Sequence, residues 1–76
     1  MKASDNQIKE IKSVINSNRL VIDRIEVLAK LDYKVQHLPM GSGGVGQVKE
    51  MADGATRIQI GYGVTRHNYA YAVIIK

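Results

Sequence analysis

The chain contains no cysteine, which removes thiol catalysis, Cys-ligated zinc and iron–sulfur clusters and leaves no disulfide to staple a small fold. It has no apolar run near the roughly 18 residues of a membrane span. Its opening residues, Met1-Lys2-Ala3-Ser4-Asp5, lack the apolar region of a signal peptide, so the expected compartment is the cytoplasm. Proline occurs once, while 45% of the residues are hydrophobic, too apolar a balance for a disordered chain. The 76 residues leave room for one domain, spanning 1–76. Such a chain buries only about 60% of its unfolded surface, so homo-oligomerisation is an expected way of completing its core.

Acidic residues are also missing from the last third. The formal charge of +4 arises from 11 basic and 7 acidic residues. Residues 1–53 hold 8 of the basic and all 7 of the acidic groups, whereas residues 54–76 hold Arg57, Arg66 and Lys76 with no carboxylate. An anion is drawn to such a segment.

Ser4-Asp5-Asn6-Gln7 is a capping-box pattern: the Ser4 hydroxyl accepts from the Gln7 amide, the Gln7 side chain reaches back, and Asp5 complements the helix dipole. Ile8, Ile11, Val14, Ile15, Val21, Ile22, Ile25, Leu28 and Ala29 then recur at the spacing of an amphipathic helix. Asn16-Ser17-Asn18 interrupts it with poor helix formers that bond to their own backbone. Residues 5–29 are therefore either one bent helix or two short ones. Unbroken, the rod would run roughly 38 Å and overhang a globule whose radius of gyration is near 11 Å.

Leu31, Tyr33 and Val35 alternate with polar residues, the pattern of a half-buried strand ending before Pro39, although 31–38 also shares a helical face. Pro39 to Gly46 is a loop. Asp53-Gly54 predicts a two-residue type I′ hairpin that sets Glu50 opposite Arg57. Thr56–Val64 alternates as a strand, the turn Thr65-Arg66-His67-Asn68 follows, and a last strand runs to Ile75. The expected register faces Val64 with Tyr69, Tyr62 with Tyr71, Ile60 with Val73 and Ile58 with Ile75, making one apolar core face. The other face then carries Gly61, Gly63, Ala70 and Ala72 with Gln59 and Ile74, a floor nearly free of side chains that something can approach closely. The expected fold is α+β: an N-terminal helical segment packed on a three- or four-stranded antiparallel sheet.

The loop Gly41-Ser42-Gly43-Gly44-Val45-Gly46 can turn successive backbone N–H groups toward an anion. It matches the spelling Gly-x-Gly-x-x-Gly, but the chain lacks the βαβ unit and the later acidic residue of a dinucleotide site, and no Walker Gly-Lys-Ser/Thr follows. Read plainly, the same loop is a flexible connection between strands. Arg66 offers a planar fork for phosphate or carboxylate, His67 a further donor, and Tyr69 or Tyr71 a stacking surface if it faces outward; otherwise these are turn and core residues. His37 and His67 are the only histidines, too few for a metal site. Nearly all of the seven carboxylates fall on a polar helix face or in turns, and a Ser42–His67 pair lacks an orienting acid, so no enzyme is expected. Along the helix Lys9, Glu10, Lys12, Arg19, Asp23, Arg24, Glu26 and Lys30 alternate in sign, a poor phosphate track that argues against nucleic acid.

These features point to a non-enzymatic module that holds or sequesters an anionic small molecule such as a nucleotide. The expected site is the loop amides of Gly43, Gly44 and Gly46, charge from Arg57 and Arg66, the His67 donor, and a Tyr69 or Tyr71 stack. No cofactor is implied. A sequestering protein of the kind viruses use against nucleotide signals fits this size. The alternative is a small inhibitor or regulator whose sheet floor and basic turn dock on a partner protein; nucleic-acid binding comes third.

Overall fold

Ser4 opens the first helix as its sequence requires: its hydroxyl accepts from the Gln7 amide at 3.1 Å and its amide donates to the Gln7 side chain at 2.9 Å. In this computed structural model, which describes residues 3–40, 43–63 and 68–76, helix α1 (Asp5–Ser17) stops where the Asn18 side chain and amide both turn back onto the Val14 carbonyl. Helix α2 (Val21–Lys30) returns beside α1, so that Tyr33 beyond its end meets Glu10 in α1. The predicted interruption thus makes two helices. The overhang expected of a single rod does not arise, and the radius of gyration is 11.3 Å.

Leu31 and Asp32 do not begin a strand. Asp32 takes a left-handed φ of 67°, its amide donates to Ala29, and the Tyr33 amide donates to Leu28, the Schellman closure of a helix with Asp where Gly is usual. The strand β1 is Val35–Pro39, with the proline at its end, on a sheet edge where a missing donor is tolerated.

Strands β2 (Val48–Glu50), β3 (Thr56–Tyr62) and β4 (Tyr69–Ile75) complete a four-stranded sheet of order β1-β4-β3-β2, antiparallel throughout. The expected α+β architecture is what the chain forms. The two helices cover one face of the sheet: Ile11, Val14 and Ile15 of α1 and Leu28 of α2 pack on Ile58, Ile60 and Val73.

Three details of register differ from expectation. The β2–β3 turn is not a two-residue type I′ turn. The Gly54 amide donates to Met51 and the Met51 amide to Ala55, a type I turn closed by a bulge in which only Gly54 has positive φ (86°). Asp53 instead accepts from the Ala55 amide with its side chain. In consequence Lys49, not Glu50, lies opposite Arg57, and Glu50 lies opposite Thr56.

Between β3 and β4 the register slides: Ile58 faces Val73 and Thr56 faces Ile75. A bulge between Gln59 and Gly61 then makes Ile60 the extra residue. Beyond it the faces exchange, because each added residue inverts the alternation. Gly61 comes to the helix side against Val21, and Tyr62, expected in the core, lies opposite Ala70 on the other face and is 51% exposed. Val64 and its pairing with Tyr69 lie outside the described residues.

Since β1 and β2 are opposite edges, the connection between them must pass from one edge of the sheet to the other. Its described residues Gly43 and Gly44 lie on the face turned away from the helices, as the Gln59 side chain rises from that face to their carbonyls.

Candidate functional site

The outer face of the sheet is built from Gln36, Leu38, Lys49, Arg57, Gln59, Tyr62, Ala70, Ala72 and Ile74, fixed by the pairings Gln36–Ala72, Leu38–Ala70, Lys49–Arg57, Arg57–Ile74 and Tyr62–Ala70. No carboxylate is among these strand residues. Its centre is the small-residue floor anticipated at Ala70 and Ala72, both 0% exposed. The occupant above the floor is the chain's own glycine loop. Gln59, 4% exposed, donates from Nε2 to the Gly43 and Gly44 carbonyls, both at 3.1 Å.

Arg57 runs across this face. Its Nη2 donates to the Pro39 carbonyl at 2.9 Å, with Gln59 Oε1 at 3.5 Å, so one guanidinium joins β3 to the far edge strand beneath the loop. Its Nε is buried and finds no acceptor. A cationic donor taken out of water without a partner is costly. Lys49 stands directly opposite in the ladder, and two like charges facing across a pair of strands repel. Both features are relieved by an anion.

The loop itself is internally bonded. The Gly46 amide donates to the Gln59 carbonyl at 2.7 Å, and the Gly44 amide to Gln47 Oε1 at 3.1 Å. Gly43 and Gly46 have positive φ, at 105° and 85°, whereas Gly44 does not. In this conformation the Gly44 and Gly46 amides are therefore spent within the protein, and what the loop offers outward is different from the expected cradle.

Tyr69 and Tyr71 do not join this site. Along β4 they share the face of Val73 and Ile75, the helix side. There Tyr71 stacks on His37 with centroids 4.5 Å apart and planes 18° apart, and Tyr69 tilts against the same imidazole at 5.1 Å. Arg66 and His67 lie outside the described residues. Of the eight residues expected to form one site, the structure brings Gly43, Gly44, Gly46 and Arg57 together and places Tyr69 and Tyr71 on the opposite face.

Three residues of the outer face were not anticipated in a site. Lys49 was hidden by the misplaced hairpin register, Gln59 read as floor, and Tyr62 read as core. The signal for Tyr62 was Gly61-Tyr62-Gly63, since glycine inside a strand pattern marks a bulge or a close approach. Elsewhere, an open groove between the α2–β1 turn and the end of β4 mixes Asp32 with Lys34 and Lys76. Among the described residues no group of His, Asp and Glu could hold a metal ion, and no helix is long and apolar enough to cross a membrane.

Compared with protein-family models, curated proteins and solved structures, the chain matches none.

Proposed function

We propose that the protein is a non-enzymatic binding module that holds an anionic small molecule on the outer face of its sheet, with Arg57 as the principal donor. The observation that carries this reading is the buried Arg57 Nε without an acceptor, on a face whose other strand cation, Lys49, lies opposite it. The loop above is held to this region by hydrogen bonds from the Gln59 side chain and to the Gln59 carbonyl, while Arg57 holds Pro39 at the end of β1, each with a net worth of about 0.5–1.5 kcal/mol, or more where the donor is charged. A bound anion can exchange with them, because its bond to a guanidinium is charge-assisted on both sides. The test is a thermal-shift screen of phosphorylated and carboxylated small molecules. A ligand at a hundredfold its dissociation constant adds about 2.7 kcal/mol, a shift of several degrees at this size. Stabilisation that disappears in Arg57→Ala supports the reading, and a flat screen defeats it.

A second reading, self-association, is favoured by Leu20 and Ile22, 57% and 64% exposed at the corner between the helices. Large apolar side chains side by side in water are what a second copy would cover. Light scattering on the eluting protein decides it: a mass near 8.4 kDa at every concentration rules it out.

A further inference from the structure

We infer that the ligand of the Arg57 face carries a flat aromatic ring beside its anionic group, as a nucleoside phosphate does, and that Tyr62 is the residue that reads the ring. This rests on the proposed role of Arg57 and goes beyond it. The alternation of β3 alone would bury Tyr62, and the Ile60 bulge instead delivers it to the outer face. There it is 51% exposed, a large aromatic surface left in water.

Its surroundings are those of a stacking platform. Ala70 opposite it offers no side chain beyond Cβ. Gly44 of the loop has no side chain to set against the Tyr62 hydroxyl; a Cβ there would stand 3.7 Å from the oxygen. The Tyr62 hydroxyl and the Arg57 guanidinium are linked by a short relay: Tyr62 beside Gly44, Gly44 accepting from Gln59, Gln59 beside Arg57. The strand partners of Tyr62 and Arg57, Ala70 and Ile74, are four residues apart along β4, a span of about 13 Å, which an extended nucleotide can bridge from base to phosphate. Every base has a π-face, so a tyrosine platform recognises the ring as a class, and the guanidinium recognises the phosphate.

Calorimetric titration with ADP, pyrophosphate and adenosine separates ring from charge. The expected result is that ADP binds at least tenfold more tightly than pyrophosphate. Tyr62→Leu should bring ADP down to the pyrophosphate affinity while leaving pyrophosphate unchanged, and Tyr62→Phe should keep most of the difference. An unaltered melting temperature in Tyr62→Leu, expected for a half-exposed side chain, shows that the fold is intact. ADP and pyrophosphate binding equally, or a preference for ADP that survives Tyr62→Leu, overturns the ring inference and leaves the Arg57 site standing. Failure of both phosphates to bind overturns the ring inference, and the Arg57 site falls with it when the carboxylated molecules of the wider screen fail to bind as well.

Discussion

The guanidinium of Arg24 in α2 holds the carbonyl of Ile60, the bulged residue of β3, at 2.8 Å, and from the same fork reaches the Asn18 carbonyl at 2.7 Å. A bulged residue is left out of the strand ladder, and Ile60 is fully buried, so its carbonyl needs a partner from elsewhere. Arg24 supplies it and ties the helix corner to the place where β3 exchanges its faces. Arg24→Ala should cost about 2–4 kcal/mol, because two charge-assisted bonds are lost and a buried carbonyl is stranded. Arg24→Lys should recover only part, lacking the planar fork. Urea denaturation checks this, and an unchanged midpoint for Arg24→Ala contradicts it.

Gly61 tests the packing on the other side of the bulge. Its φ is not positive, yet an added Cβ would meet the Val21 methyls at 2.6 and 2.8 Å. Gly61→Ala should destabilise by about 1–3 kcal/mol through overpacking. Val21→Ala in the same chain should give much of that back. If the double variant is as unstable as the sum of the single ones, the glycine is there for a reason other than space.

Two left-handed positions, one in the β2–β3 turn and one at the end of α2, predict opposite signs. Gly54 has φ 86° with nothing near its missing Cβ, so Gly54→Ala should lose about 1 kcal/mol of stability from backbone strain alone. Asp32 occupies such a position without being glycine, so Asp32→Gly should gain a few tenths to about 1 kcal/mol. Thermal unfolding of the pair measures both.

Tyr33 donates to Glu10 Oε1 at 2.6 Å, and desolvation, then that hydrogen bond and the Glu10 charge, raise its pKa from 10.0 to about 12. Because the folded value lies above the unfolded one, the associated stability is fully present below pH about 10 and is lost as pH rises toward 12. Ultraviolet titration should show a tyrosine ionising near pH 12 that Tyr33→Phe removes. Glu10→Gln should bring it only part of the way back, since desolvation is the largest cause. A late transition that survives Tyr33→Phe contradicts the contact.

Where local chemistry decides structure, the chain was legible. The Ser4–Gln7 box, the break at Asn18, the glycine loop, the sheet and the small floor at Ala70 and Ala72 follow from residue types and spacing. What was hidden depends on long-range choices. Asp32 stands where a helix stop normally shows glycine. Asp53-Gly54 is compatible with two turns that differ by one residue in register, and that single residue decides whether Glu50 or Lys49 faces Arg57. The Ile60 bulge inverts an otherwise clean alternation, and its stabilising partner, Arg24, lies 36 residues away. For the same reason no spacing in the sequence could show that Arg57 and Tyr62 share a face while Tyr69 and Tyr71 occupy the other.

The role of Arg57 is tested most directly at its own Nε–H. In a 15N-labelled sample the arginine Nε–H resonances are resolved from the backbone, and Arg57→Lys identifies the one that belongs to this residue. Titration with ADP should shift that resonance saturably, and more than the Arg24 resonance, as a charged acceptor takes up the buried donor. An Arg57 Nε–H signal that stays in place while ADP reaches millimolar concentration would contradict the assignment of this face as the binding site.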